Sequence, residues 1–215
     1  MNLFEGHDLA CLRGGRMVFS GLSFALPEGA ALLLTGPNGS GKSSLLRMLA
    51  GLIRPAEGEL LWDGTPLHKA AEAHRERLAF LGHLDSVKPA LTARENLAFW
   101  AGLLGAGEEK IDAALARFGL ADFAERPVRL FSAGQKRRLA LGRLLISQAP
   151  LWLLDEPTVG LDRASATALA EVIAAHRAGG GRVVVATHQV LELEAAENLA
   201  LGDFPGGNQL LEYVW

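Results

Sequence analysis

The sequence has little of what secreted or membrane-spanning chains carry. Its single cysteine, Cys11, excludes an internal disulfide. No apolar run approaches the about 18 residues that a transmembrane helix needs, so the chain is not expected to cross a bilayer by itself. The stretch 1–5 lacks the basic start and long apolar core of a signal peptide. These absences together predict a cytoplasmic protein.

Charge of one sign is also scarce. A net charge of −3 gives no general reason to expect nucleic acid as a partner. The one basic cluster, Lys136, Arg137 and Arg138 followed by Arg143, is interpreted as the solvated face of a helix. The hydrophobic fraction of 49% is high for a chain without a membrane span, and it favours a protein partner.

One stretch has a specific pattern. Residues 36–43 fit G-x-x-x-x-G-K-[ST], the phosphate-binding loop. The apolar run 30–34 precedes the loop and predicts a strand, and 44–50 has the apolar spacing of a helix that ends at Gly51. Strand, glycine loop and helix are the context in which this pattern binds phosphate.

The loop residues suit this chemistry. Glycines let backbone N–H groups turn toward an anion, and the helix N-terminus adds its partial positive charge. Lys42 supplies a charge for the outer phosphates, and the Ser43 hydroxyl is a candidate Mg²⁺ ligand. A chance glycine turn is the alternative, and the loop alone does not separate a kinase, a GTPase, a helicase and a transport ATPase. The candidate nucleotide-binding residues are Gly36, Pro37, Asn38, Gly39, Ser40, Gly41, Lys42, Ser43 and Ser44.

The remaining pattern predicts an α/β protein. Short strands and turns over 1–29 indicate an N-terminal β part, and strands alternate with helices elsewhere, which favours a mainly parallel sheet in a P-loop NTPase core. A short helix after His188 and a hairpin around 205–208 complete the chain.

The middle of the chain is predicted to be helical. Thr92 and Glu95 form a capping box, and Ser132 is predicted to cap a helix that runs to about Ser147. We expect one domain over 1–215, with a nucleotide-binding core from 1–88 and 150–215 and a helical subdomain at about 89–149.

Two carboxylates follow the apolar run 151–154. Asp155 is expected at the carboxyl edge of the sheet beside the loop, where it would hold Mg²⁺. Glu156 is expected to point elsewhere and to orient the attacking water. Solvated acids at a strand end are the alternative.

A further motif identifies a family. Residues 131–135, Phe-Ser-Ala-Gly-Gln, closely resemble the L-S-G-G-Q signature of ABC-type ATPases. Gly160-Leu161-Asp162 and Thr187-His188 resemble the D-loop and the switch histidine of the same family, in its order and at its spacings. The resemblance covers nearly the whole chain.

The resemblance implies a homodimer in which two chains pair head to tail around two ATP molecules. Ser132 and Gly134, in a signature completed by Ala133 and Gln135, would contact the γ-phosphate bound to the other subunit. Asp162 would couple the two sites. Lys42, Glu156 and His188 would be the catalytic residues.

Two positions depart from the family pattern. His83 stands where most members have the Q-loop glutamine, which makes it a coupling residue without an assured Mg²⁺ contact. Arg13 stands where an aromatic residue usually stacks on adenine, and a guanidinium can also lie on a purine face. The four other histidines are interpreted as structural: His7, His68, His74 and His176.

These details resemble the ATP-binding subunits of cytochrome c maturation systems, the haem exporter ATPases. That resemblance implies integral membrane partner subunits and a place on the cytoplasmic face of the bacterial inner membrane. C-x-x-C-H is absent, so no direct haem binding is expected. Another small ABC exporter, a non-transport ABC ATPase acting on ribosomes or DNA, and a nucleotide-binding regulator without turnover remain alternatives.

Overall fold

Residues 3–188 and 193–206, which the computed structural model describes, form nine strands and six α-helices. The strands are β1 (Leu3–Arg13), β2 (Arg16–Pro27), β3 (Ala31–Thr35), β4 (Glu57–Trp62), β5 (Thr65–Pro66), β6 (Leu78–Leu81), β7 (Leu151–Asp155), β8 (Arg182–Ala186) and β9 (Glu197–Ala200). The helices are α1 (Lys42–Leu49), α2 (Ala71–Glu76), α3 (Ala93–Leu104), α4 (Glu108–Arg117), α5 (Ala133–Ile146) and α6 (Arg163–Ala178). No helix in this part of the chain is long and apolar enough to cross a membrane.

A five-stranded sheet in the order β6-β7-β8-β3-β9 carries the fold, and all its neighbouring strands run parallel. Alternate side chains of β7 and β8 enter two different apolar clusters, so both faces of the sheet are covered. That is why these strands are continuous apolar runs rather than alternating ones. The carboxyl ends of β3, β7 and β8 meet at one edge.

A second, antiparallel sheet has the order β2-β1-β4-β5. Its β1–β2 hairpin turns at Gly14 and Gly15, both at positive φ. The two strands are 11 and 12 residues long, well beyond the short apolar runs of the sequence pattern. Polar residues between those runs stay in the strands because irregular pairing and an exposed face accommodate them.

The segment between β6 and β7 packs three helices around its own apolar cluster, which includes Leu97, Leu115 and Leu139. The predicted capping box at Thr92 and the predicted N-cap at Ser132 are both present. The Thr92 hydroxyl accepts from the Glu95 N–H at 3.1 Å while the Glu95 carboxylate accepts from the Thr92 N–H at 2.8 Å. The same reciprocal pair opens α5.

The interpretation of the basic cluster as a solvated face is wrong. Arg137 is only 5% exposed, and Arg138 donates to the Phe118 carbonyl. The Arg143 guanidinium lies 3.8 Å from the centre of the Trp100 ring, and burial lowers its pKa to about 10. These side chains face protein because α5 packs against both the parallel sheet and the neighbouring helices.

Near the end of the chain, one strand was not predicted from the sequence, and two predicted elements lie partly outside the described residues. Strand β9, absent from the sequence prediction, pairs with β3 at the edge of the parallel sheet. The predicted helix after His188 and the final hairpin involve residues 189–192 and 207–215, which lie outside the described residues.

Candidate nucleotide-binding site

Helix α1 begins directly from the glycine loop. Its N-cap, Gly41, has a left-handed backbone at φ +103° and makes no side-chain cap. A β-carbon there would lie 2.7 Å from Val18 Cγ1 and 2.9 Å from Phe19 Cδ1, so the close approach of β2 requires glycine. The first N–H groups of α1 therefore lack a side-chain cap at a helix N-terminus, which favours an anion.

Lys42 lies inside the loop rather than in solvent. It is 7% exposed, and its Nζ donates to the carbonyls of Gly36 at 2.7 Å and Pro37 at 3.1 Å. Two of its three ammonium protons hold the loop, which leaves the third for a ligand. The buried Ser40 hydroxyl has no hydrogen-bond partner within the described chain. Lys42 lines the cavity described below and its cation fits a phosphate group, whereas Ser40 does not line that cavity.

The loop opens into a cavity of about 550 Å³, within the range of small-molecule sites. Valines 18 and 159 add apolar surface, and no motif pointed to either. Most of the residues predicted from the sequence lie around it: Arg13, Asn38, Gly39, Gly41, Lys42, Ser43, Ser44, His83, Asp155, Glu156 and His188.

The two carboxylates share this cavity. Asp155, the last residue of β7, is 5% exposed. Glu156 was expected to point elsewhere, yet it also lines the cavity, because the chain turns there through a left-handed conformation at φ +48°. The turn is held in part by the Glu156 N–H, which donates to the Ala186 carbonyl at 2.8 Å.

Glu156 and His188 form a pair at the ends of two neighbouring strands. The Glu156 Oε1 lies 2.8 Å from His188 Nδ1, and Oε2 accepts from the His188 N–H at 3.3 Å. An ionised carboxylate only accepts, so Nδ1 carries the proton of this bond. The glutamate side chain is 14% exposed and the imidazole 54%, which leaves Nε2 available to a ligand.

The signature residues lie apart from the cavity. The Ser132 hydroxyl accepts from the Gln135 N–H at 3.2 Å, and Gln135 Oε1 accepts from the Ser132 N–H at 2.9 Å. Ser132 and Ala133 are exposed and do not line the pocket. Gly134 lies so close to the Gly160 carbonyl that a β-carbon would be 3.0 Å from it.

Asp162 caps α6, two residues beyond Gly160. Its Oδ1 accepts from the Ser165 N–H at 2.8 Å. Hydrogen bonds from Ser165, first its side chain and then its backbone, hold the pKa of Asp162 below its usual value. The signature loop and this cap thus lie beside one another, on a surface outside the cavity.

Comparison with known families now identifies the chain, since the family model described as ABC transporter matches residues 19–159. The chain belongs to the ABC transporter family. The fold of this ABC protein confirms the predicted class, a P-loop core with a parallel sheet and an antiparallel β part. It is an ATP-hydrolysing protein of the ABC type, as its sequence motifs indicated.

Two curated relatives of this ABC ATPase share one name. The chain is 58% identical over 202 residues to the "Cytochrome c biogenesis ATP-binding export protein CcmA" of Rhodospirillum rubrum, covering 94% of the chain and 87% of the relative. It is 54% identical over 211 residues to the protein of that name from Paramagnetospirillum magneticum, covering 96% and 97%. The predicted family resemblance is confirmed.

Solved structures agree on the fold of the ABC ATPase. A putative ABC transporter ATP-binding protein from Pyrococcus furiosus superposes with a TM-score of 0.83 at 24% identity, over 94% of this chain and 99% of that one. The ATP-binding subunit of an ABC transporter superposes with a TM-score of 0.77 at 28% identity, over 86% and 79%.

Proposed function

We propose that the chain is the ATP-hydrolysing subunit of a cytochrome c biogenesis complex, in which hydrolysis drives haem export or release of a haem-loaded chaperone. The relatives named above support the process. The observation that carries the chemistry is that the glycine loop and the Glu156–His188 pair face one cavity. A phosphate anchor and a hydrogen-bonded carboxylate thus face each other across a space of ligand size.

In this proposal the loop holds the phosphates of ATP. The N–H groups at the start of α1 and the Lys42 ammonium supply donors at the cavity. Arg13 and Val18 line the same cavity, and we assign them to the adenine ring because a guanidinium can lie on a purine face.

Ser43 and Asp155 are the residues that would hold Mg²⁺. They line the same cavity, and their oxygens are ligands that Mg²⁺ prefers. Within the described ranges no group of three or more His, Cys, Asp or Glu is placed to hold a metal. This suits an ion that usually binds through one or two protein ligands together with substrate phosphates and water. When bound, Mg²⁺ neutralises charge on the outer phosphates.

Glu156 is the proposed general base. A water between its carboxylate and the γ-phosphate gives up a proton to Glu156 as its oxygen bonds to phosphorus, and the bond to the bridging oxygen of ADP breaks. His188, fixed through Nδ1 by Glu156, would donate from Nε2 to a γ-phosphate oxygen in its doubly protonated form, since a phosphate oxygen only accepts. The pair therefore joins the sensing of γ-phosphate to the orientation of the base.

Two copies would pair head to tail in the ATP state. Residues 132–135 are partly or wholly exposed and lie off the cavity of their own chain, as expected if they contact the γ-phosphate of a second copy. Asp162, at the cap of α6 beside this signature, would couple the two sites.

Integral membrane subunits are the proposed partners, which would place the chain peripherally on the cytoplasmic face of the inner membrane. We assign their contact to a helical subdomain over 89–149 and to the loop that follows His83. Exposed apolar side chains support this, with Leu84 78% and Leu103 64% exposed. Direct haem binding by this chain is not part of the proposal.

Glu156→Gln tests the chemistry. The amide keeps the shape but accepts a proton poorly, so turnover of ATP should fall about 100-fold or more while ATP affinity is retained. Glu125→Gln, at an exposed ion pair with Arg94, is the matched control and should leave turnover unchanged. Unchanged turnover in Glu156→Gln would remove Glu156 from the catalytic role.

The biological assignment needs a different measurement. The full-length chain should co-purify from native membranes with integral subunits, in fractions that contain haem, and should leave the membrane when those subunits are deleted. Co-purification with ribosomes instead would contradict the export complex. Substitutions over 84–88 should weaken membrane docking if that loop transmits the movement.

A further inference from the structure

Arg137 is a buried cation whose contacts lie at the edge of the proposed ATP site. It is 5% exposed and lies in the second turn of α5, just after the capping box of Ser132 and Gln135. All five N–H groups of its guanidinium have an acceptor. The only charged acceptor among them is the Asp85 carboxylate, 3.0 Å from Nη1.

The other acceptors are main-chain carbonyls of two segments that border the cavity. Nη2 donates to Asp155 O at 2.9 Å and Glu156 O at 2.7 Å, and Nε donates to Pro157 O at 3.3 Å. One side chain thus holds three consecutive carbonyls of the turn after β7. Nη1 also donates to Gly82 O at 3.3 Å, next to His83.

These hydrogen bonds hold the one non-glycine residue with a positive φ among the described residues that line the cavity. Glu156 has φ +48°, and a non-glycine residue keeps such a conformation only where its surroundings over-determine it. Ala186 holds the N–H of Glu156 and Arg137 holds its carbonyl. With both peptide groups held, the Cα–Cβ bond of Glu156 has a set direction, and the hydrogen bonds to His188 orient the carboxylate at its end.

We propose that Arg137 is a positioning residue for hydrolysis, which aims the Glu156 carboxylate and ties it to the N-terminus of α5. The inference rests on the proposed role of Glu156 as base. Residues 132–135 precede Arg137 on the same helix, so a tilt of α5 caused by the second copy reaches the Glu156 turn through one guanidinium. The loop at Gly82 receives the same displacement.

The first test is steady-state ATP hydrolysis by the full-length chain in its native membrane complex. Arg137→Met should lower kcat about 10- to 100-fold, the scale of a misplaced catalytic group, and leave KM for ATP within about twofold. The kcat of Arg137→Lys should lie within about threefold of the kcat of Arg137→Met, because one ammonium group cannot reach all the acceptors that the planar guanidinium reaches. Full activity in either variant overturns the inference.

Arg177→Met is the matched control. That guanidinium also donates to main-chain carbonyls, Gly29 O at 2.9 Å and Glu194 O at 2.6 Å, but these lie away from the cavity. Its loss should lower the unfolding midpoint without changing kcat more than about twofold. A loss of kcat equal to that of Arg137→Met would reduce Arg137 to a general structural role.

A double-mutant cycle with Glu156→Gln separates positioning from mere stability. If Arg137 acts through Glu156, Arg137→Met should lower the residual rate of Glu156→Gln by less than about twofold. A further tenfold loss would overturn the inference. If Arg137→Met does not fold, Arg137→Lys carries the cycle, since it keeps the charge opposite Asp85.

The cycle also distinguishes two kinds of failure. If Glu156→Gln itself keeps full turnover, the proposed base is wrong. If Glu156→Gln is impaired while both Arg137 variants are fully active, only the positioning role is wrong.

Discussion

Helices α1 and α5 begin in opposite ways. The N-cap of α1 is Gly41, which offers no side chain, and the first turn opens onto a cavity. The N-terminus of α5 lies off that cavity and is closed by the reciprocal bonds of Ser132 and Gln135. The first N–H groups of α1 therefore have no side-chain acceptor, whereas at α5 the Ser132 and Gln135 N–H groups are paired with each other's side chains.

The largest expected effect comes from removing the Lys42 cation at the N-terminus of α1. Lys42→Ala should lower ATP hydrolysis about 100-fold or more, since a buried charge aimed at the phosphates is lost. The unpaired carbonyls of Gly36 and Pro37 should also loosen the loop. Lys69→Ala, at an exposed site, should have no effect on the same assay. Retained hydrolysis in Lys42→Ala would remove the loop from catalysis.

The next effect comes from giving Gly41 a side chain. Gly41→Ala places a β-carbon against Val18 and Phe19 at a left-handed position, so ATP affinity should fall about tenfold and unfolding free energy by about 1–3 kcal/mol. Calorimetric titration and urea unfolding measure the two.

Gly105→Ala is its control, because Gly105 also has positive φ but open space around it. Gly105→Ala should lower the free energy of unfolding by about 1 kcal/mol and leave the ATP affinity unchanged. Equal loss of affinity in both variants would show that the loop effect is general destabilisation.

The capping box of α5 can be tested against the matching capping box of α3. Ser132→Ala and Thr92→Ala each break a complete capping box, so each should cost about 1 kcal/mol in urea unfolding. Only Ser132→Ala should also lower ATP hydrolysis severalfold, because only that helix is proposed to meet a second γ-phosphate. Equal hydrolysis in the two variants would mean that Ser132 is a structural cap alone.

The smallest effect concerns a third helix start, capped by a carboxylate. The Ser165 hydrogen bonds lower the pKa of Asp162, so its contribution to stability is present above its unfolded pKa of about 3.8 and is lost as pH falls through its folded value. Asp162→Asn should thus lower the urea midpoint at pH 7. The difference in urea midpoint between the wild type and the variant should disappear in strong acid. A difference in urea midpoint that does not change with pH would contradict the stabilising role of the charged cap. Asp122→Asn is the control for the same measurement.

Local sequence was enough for features decided within a few residues. The capping box at Thr92, the N-cap at Ser132, the glycine loop 36–43 and the strand 151–154 are each visible within a short continuous stretch of sequence. The helix and strand order followed from these, and with it the fold class.

Features that depend on distant partners were missed. The burial of Arg137 follows from the packing of α5 against the end of β7, and nothing in a basic triplet distinguishes that from a solvated face. The lengths of β1 and β2 come from pairing with each other. The shared orientation of Asp155 and Glu156 comes from one left-handed residue, which no periodic pattern specifies.

The left-handed turn at Glu156 sets stability against turnover at a single position. A side chain with a β-carbon raises the free energy of this backbone by about 1–2 kcal/mol, while glycine would adopt it freely and asparagine with less strain. Neither of those residues can accept a proton from water. The amino acids that would best stabilise the backbone of this turn would therefore remove the proposed general base.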